Sequence, residues 1–126
     1  DLDEAVRVGH RIAIMRDGSV VQIGTPEEIV VNPADDYVAD FVKGISRLKV
    51  VQAKTIMQPL DDYKRNFGEN VGNNERVNEN DILSKLIETS VSENKPIIVL
   101  NNDNKEVGII TQSDLLKAVV EGNDNE

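Results

Sequence analysis

KPIIVLNNDNKEVGIITQSDLLKAVV, residues 95–120, is the one stretch of the chain where strand, turn, strand and helix signals follow one another without a gap. Ile97–Leu100 and residues 107–110 are compact apolar runs rich in β-branched side chains, and between them lie the turn-formers Asn101, Asn102, Asp103 and Asn104. That order reads as a β-hairpin. Thr111 stands three residues before Asp114, just ahead of an apolar pattern at Leu115, Leu116, Val119 and Val120. A helix with its cap supplied is expected there, packing back on the hairpin. The Thr111/Asp114 pair has two uses at such a place. A Thr hydroxyl accepts from a first-turn amide and a carboxylate suits the positive end of the helix dipole, which makes a cap and needs no ligand. A helix N-terminus is also a common place to hold a phosphate-bearing ligand. The two uses are not exclusive.

Upstream of this stretch, Asn80 or Asp81 is expected to cap a helix whose apolar face is Ile82, Leu83, Leu86 and Ile87. Before it the chain is polar. Residues 60–76 carry Gly68, Gly72 and several Asn, with Leu60, Tyr63, Phe67 and Val71 to pack, and only Val77 hints at a further strand. A loop of that length is uncommon in a compact domain unless it is functional or mobile. Leu48, Val50 and Val51 are expected to add a short strand, and residues 53–57 a helical turn stopped by Pro59, with Met57 as a core filler. Residues 122–126 are an acidic, Asn-rich tail, expected to be disordered.

The opening of the chain has its own logic. Leu2, Ala5 and Val6 recur at helical spacing behind acidic residues, and Gly9 ends that helix. Residues 11–15 and 19–23 are short β runs joined by Asp17-Gly18, a strong local hairpin signal. Thr25 is then an N-cap, with Pro26 at the first helical position and Glu28 three residues after the cap. Asn32-Pro33 repeats the start signal, and Tyr37, Val38, Phe41, Val42 and Ile45 form the stripe of a second helix that Gly44 closes. A hairpin and a few short helices bury too little apolar surface to offset chain entropy, so this segment needs a neighbour. The chain reads as α+β, with a first segment over residues 1–46 and a domain over 47–121 that contains the long polar loop at 60–76.

The 126 residues, 39% of them hydrophobic, suffice for one domain or two small ones. Fourteen basic and 23 acidic residues give a formal net charge of -9, which argues against a broad electrostatic grip on nucleic acid or anionic lipid. There is no Cys, which removes disulfides and thiolate chemistry and fits a reducing compartment. No apolar run approaches the roughly 20 residues of a membrane span, and no secretion signal opens the chain. The protein reads as soluble. Beginning at Asp1 without Met, it reads as an excerpt of a longer polypeptide.

The later part of the chain resembles a CBS domain, the small β-α-β-β-α unit that pairs up to bind adenine nucleotides in enzymes, channels and transporters. The resemblance rests on GIITQSDLL at 108–116, KPIIVLNND at 95–103 and AKTIMQP at 53–59. It implies that Thr111 and Asp114 hold the phosphate and ribose hydroxyls of an adenosine ligand, with Ile97 and Ile109 also at the site. ATP, AMP or a cyclic dinucleotide is the implied ligand, and no metal is implied. Two departures stand out. The family has a short gap and a clear β run where this chain has residues 60–76, and many relatives carry a basic residue where Ser113 stands, which lowers the expectation of tight triphosphate binding.

The beginning, DLDEAVRVGHRIAIMRDGSVVQIGTPEEIVVNPADDYVADFVKG at 1–44, resembles the last part of the ATP-binding subunit of an ABC transporter, starting just after that family's switch histidine. NPADDYVADFV at 32–42 is most similar to the subclass that imports glycine betaine, proline and related compatible solutes, where a CBS region follows directly. Together the resemblances imply the C-terminal regulatory part of such an ATPase subunit, cytoplasmic and peripheral to the inner membrane. They also imply a CBS homodimer that senses an adenine nucleotide or ionic strength, with the rest of the ATPase domain and a membrane permease as partners. A single CBS motif has no second copy in the chain to cover its apolar face, and such faces mark interfaces. Pairing places two Thr111/Asp114 helix starts around one cleft.

No catalytic residue is expected in the chain itself. It lacks G-x-x-x-x-G-K-[ST], so no ATP hydrolysis is expected of it, although the full-length subunit is expected to be an ATP hydrolase. His10 is the only histidine, which excludes a multi-His metal site, and it lies downstream of the switch position. It reads as a solvated or structural residue. Glu27-Glu28, Asp35-Asp36 and Asp61-Asp62 read as helix-start and loop charges. The alternative reading is a stand-alone CBS adaptor or dimerisation module without a transport role. With 3% aromatic residues, no cage for a quaternary ammonium solute is evident.

Overall fold

The computed structural model describes residues 10–69, 72–92 and 94–121. They fall into two compact units that divide between Val50 and Val51, a few residues after the 46/47 boundary read from sequence. The helix expected at 1–8 and the tail at 122–126 lie outside the described residues.

In the first unit, β1 (Ile12–Arg16) and β2 (Ser19–Gly24) form an antiparallel two-stranded sheet. Asp17 and Gly18 both take positive φ, 52° and 81°, as the twist of a two-residue hairpin loop requires. Ile14 points into the core at 4% exposure. Met15 lies opposite Val20 and Ala13 opposite Ile23, and Met15, Val20 and Ile23 are each just over half exposed. The outer face of the hairpin is therefore apolar and open.

α1 (Pro26–Val31) starts on the expected capping box, with Thr25 Oγ1 accepting from Glu28 N and the Glu28 side chain accepting from Thr25 N. α2 (Asp36–Phe41) starts later than the Asn32-Pro33 signal. Asp35 is its cap, accepting from Val38 N at 2.9 Å, whereas Asn32 is the C-cap of α1. Gln22 holds the connection between them, donating to Asn32 O at 3.0 Å and accepting from Ala34 N at 2.7 Å. A 3-10 turn (Val42–Gly44) follows. The strand expected at 48–51 is instead a helical turn, α3 (Arg47–Val50). Ser46 starts it by accepting from Leu48 N through its hydroxyl and from Lys49 N through its carbonyl, a local bond that competes with extended structure. Among the described residues of this unit, Ile14, Pro26, Ile29, Val38, Val42, Ile45 and Val50 bury apolar side chains.

The second unit runs α4 (Ala53–Ile56), β3 (Gln58–Pro59), α5 (Leu60–Phe67), β4 (Arg76–Asn78), α6 (Leu83–Ser92), β5 (Ile97–Leu100), β6 (Glu106–Ile110) and α7 (Gln112–Glu121). Its sheet has the order β3-β6-β5-β4, with β4 and β5 parallel and the other pairs antiparallel. From β4 onward the element order is β-α-β-β-α. The tip of the β5–β6 hairpin is an Asn-built turn: Asn101 Oδ1 accepts from Asp103 N and Lys105 N, and Asn104 takes φ 62°. Both edge strands are very short, and Pro59, which has no N–H to donate, sits on one of them. Arg76 on β4 reaches across β5 to Glu106 on β6, with Nη2 donating at 2.7 Å and Nε at 3.0 Å to the same oxygen.

Two sequence expectations change here, and one holds. The long loop at 60–76 is shortened by α5, whose Leu60, Tyr63 and Phe67 recur on one face and whose Asp61/Asp62 and Lys64/Arg65 suit its two ends. Val77 does mark a strand: it is 5% exposed on β4 and pairs with Val99. α6 begins at Leu83, and neither Asn80 nor Asp81 is the flanking residue. Asp81 turns back instead, its carboxylate accepting from Asn78 N at 2.9 Å, while Ile82 bridges to Gln52.

Side chains alternate across the sheet. Register pairs Ile97 with Ile110 and Ile98 with Ile109, so these pairs lie on opposite faces. Leu60 and Tyr63 of α5 pack on the Ile98/Ile109 face together with Leu100. Ile97, Val99 and Ile110 are at most 2% exposed, so the other face is covered too.

Candidate functional site

The candidate site is the start of α7, where the chain leaves β6. Thr111 Oγ1 accepts from Asp114 N at 3.1 Å, and Asp114 Oδ2 accepts from Thr111 N at 2.9 Å. This reciprocal pair satisfies two backbone donors that a helix start leaves without intrahelical partners. The capping expectation is thus met in full. A third group joins it. Gln58 on β3 lies opposite Ile109 in the ladder and donates its side-chain amide to Asp114 Oδ2 at 2.9 Å. Asp114 therefore ties the edge strand β3 to the start of α7. Both Thr111 and Asp114 remain half-buried rather than sealed. A hydroxyl, a carboxylate and a half-open helix start can accept from ligand hydroxyls and donate to an anion.

The other two expected contacts are placed differently. Ile97 is 2% and Ile109 0% exposed, on opposite faces of the sheet. Their side chains belong to two halves of the core and offer a ligand no free surface in this conformation. Gln58 is the group that sequence reading missed. It is 56 positions from Asp114, and no periodicity links the two. Met57, expected as a filler, packs where β6 has no side chain: a Cβ built on Gly108 would overlap its Sδ. Ser113 is exposed on α7.

The remaining candidates have structural placements. His10 is exposed ahead of β1. Glu28 and Asp35 cap helices, and Asp61 and Asp62 lie in the first turn of α5. Among the described residues no group of three or more His, Cys, Asp or Glu could hold a metal ion, and no helix is long and apolar enough to cross a membrane.

No protein-family model matches the chain, and no solved structure matches it. Curated proteins do. The chain is 37% identical over 118 residues to the glycine betaine transport ATP-binding protein OpuAA of Bacillus subtilis, covering 94% of this chain and 25% of that protein. It is 36% identical over 121 residues to the glycine betaine/carnitine transport ATP-binding protein GbuA of Listeria monocytogenes, covering 96% of this chain and 28% of that one. Over most of its length, this chain is homologous to ATP-binding subunits of glycine betaine-type ABC transporters. A shorter match is tighter: 59% identity over 56 residues to the glycine betaine/proline betaine transport system ATP-binding protein ProV of Escherichia coli, covering 44% of this chain and 14% of that protein. The chain thus spans about a quarter of the length of the first two relatives, and it matches the C-terminal portions of these ATP-binding subunits.

Proposed function

We propose that the chain is the C-terminal part of the ATP-binding subunit of an importer for compatible solutes of the glycine betaine type. Its first unit is the end of the ATPase domain and its second a CBS domain that regulates transport. The observation that carries this is the match to the Bacillus subtilis protein, which covers 94% of the chain and so runs through both units. The β-α-β-β-α order from β4 to α7, and a last helix opening on Thr111 and Asp114, support the CBS assignment. In this reading the open hairpin face of Met15, Val20 and Ile23 packs on the body of the ATPase. The subunits pair through their CBS regions on the cytoplasmic side of a membrane permease, and the full-length subunit hydrolyses ATP. The regulatory cue is an adenine nucleotide or ionic strength, and it acts by favouring one arrangement of the pair over another.

The coding sequence upstream of Asp1 tests the transporter half: a P-loop followed by a switch histidine is expected, and a start codon at that point would overturn it. Thermal unfolding of the chain with ATP, AMP and cyclic dinucleotides, each across a salt series, tests the sensing half. A ligand that binds only the folded state raises the midpoint, by about 2.7 kcal/mol of stability at a hundred times its Kd. A midpoint that no nucleotide and no specific salt moves identifies a dimerisation module.

A further inference from the structure

The second unit covers its sheet from within the chain. Leu60 and Tyr63 lie over Ile98, Ile109 and Leu100 on one face, and the alternate set is buried on the other, which corrects the expectation of an uncovered apolar face there. A strained and open segment is found in the first unit instead, at the tip of its hairpin. Asp17 holds φ 52° and Gly18 φ 81°, and for Asp, unlike Gly, that is the sterically costly left-handed region. The Asp17 side chain is 95% exposed, with Arg16 Nε 4.0 Å away at the outer limit of an ion pair. Other Asp carboxylates are engaged: that of Asp35 accepts from Val38 N, that of Asp81 from Asn78 N, and that of Asp114 from Thr111 N and Gln58. Gly18 stands inside the loop closed by the Arg16–Ser19 pair, so the ladder makes no use of its N–H. A Cβ built on Gly18 would meet no atom within 4 Å. Asp17 is also the only Asp or Asn of the sequence that is followed by Gly.

We propose that Asp17-Gly18 is a modification site, at which the backbone isomerises spontaneously and the aspartate becomes isoaspartate. Gly18 N attacks Asp17 Cγ and closes a succinimide ring, and the amide proton and the carboxyl hydroxyl leave together as water. A second water opens the ring. Addition at the side-chain carbonyl restores aspartate, whereas addition at the main-chain carbonyl leaves the backbone running through Cβ and Cγ beside a free α-carboxylate. The product has the same mass as the starting chain, and water is the only co-reactant. Ring closure is fastest at an amide nitrogen that no following side chain shields, which Gly supplies. Every other Asp in the sequence precedes a residue with a side chain. Rigidity does not protect the turn, because a two-stranded hairpin is marginally stable by itself and its tip opens more easily than elements covered on both faces. The consequence follows from register. A two-residue loop with both φ positive is what sets Arg16 against Ser19, and isoaspartate inserts one further backbone atom into that loop. The closing pair is lost, the hairpin frays from its tip, and the outer face of Met15, Val20 and Ile23 loses its scaffold. The reaction needs only the hairpin and is independent of the role in transport proposed above.

Incubation of the folded chain for weeks at neutral pH in water enriched in heavy oxygen tests this, because each passage through the ring leaves a labelled carboxylate whichever way the ring opens. Peptide mapping with electron-transfer fragmentation then locates the label and separates isoaspartate from aspartate. Both are expected to accumulate at residue 17 several-fold faster than at any other Asp, at a rate within several-fold of that in the urea-unfolded chain. D17E, which would have to close a larger ring, is expected to show neither at this position. In the separated isoaspartyl form, amides of β1 and β2 are expected to exchange several-fold faster than in the parent chain, and those of β5 and β6 at the same rate. Label at residue 17 that appears only in urea would mean that the folded turn keeps Gly18 N from the carboxyl, and it overturns the proposal, as does label spread evenly over the Asp residues. Unchanged exchange of β1 and β2 in the isoaspartyl form overturns the consequence for the hairpin.

Discussion

Gly108 and Met57 form the tightest sequence constraint in the second unit. A Cβ at Gly108 would meet Met57 Sδ and stand 2.8 Å from its Cγ, closer than side-chain atoms tolerate. The Gly in GIITQSD is thus fixed by a methionine lying on β6 rather than by backbone conformation. G108A is expected to lower stability by about 1–3 kcal/mol, the usual cost of overpacking, and M57A in the same chain to return part of it. Urea unfolding of the single and double variants reads both. Gln58 acts at the same scale. Q58A removes its bond to Asp114 and is expected to cost about 1 kcal/mol, and a double-mutant cycle with D114N should show coupling between the two positions. Additive effects would mean that Gln58 does not hold Asp114. The cap at Thr111 was legible because its partner is three residues away. Gln58 was not, because its contact is made only once β3 has paired with β6.

Among the elements, both hairpins were legible because their turn chemistry is local: Asp17-Gly18 supplies two positive φ angles, and the Asn101–Asn104 cluster supplies side-chain acceptors and one more. α5 was hidden by composition. Four of its eight residues are charged, and its apolar face shows only when Leu60, Tyr63 and Phe67 are read at helical spacing. The helical turn at Arg47–Val50 was hidden by two valines and a leucine that suggest a strand, against which a single Ser46 hydroxyl decides. If α5 covers the sheet as described, L60A is expected to destabilise the second unit by about 2–5 kcal/mol, as for other fully packed leucines. In a solvent-exposed loop the same change would stay within about 0.5 kcal/mol, and denaturant titration separates the two.

For the molecule as a whole, the two units differ in how complete they are. The second has both sheet faces covered, whereas the first leaves Met15, Val20 and Ile23 of its hairpin more than half exposed. In the separate chain, amides of β1 and β2 are expected to exchange well before those of β5 and β6, because local opening is easier where few apolar contacts must break. Equal protection in both units would contradict the view that the hairpin awaits the ATPase body. The order of the two resemblances along the chain already pointed to a transporter subunit, and the homologues over most of its length agree.

We propose that the half-open start of α7 is a ligand site as well as a cap. Two-dimensional NMR of the isotope-labelled chain, titrated with AMP, ATP and a cyclic dinucleotide, measures this directly. Saturable shifts are expected for at least one of them, confined to the backbone amides of Thr111 and Asp114 and the side-chain amide of Gln58. Signals at these positions that stay unmoved through every titration would contradict it.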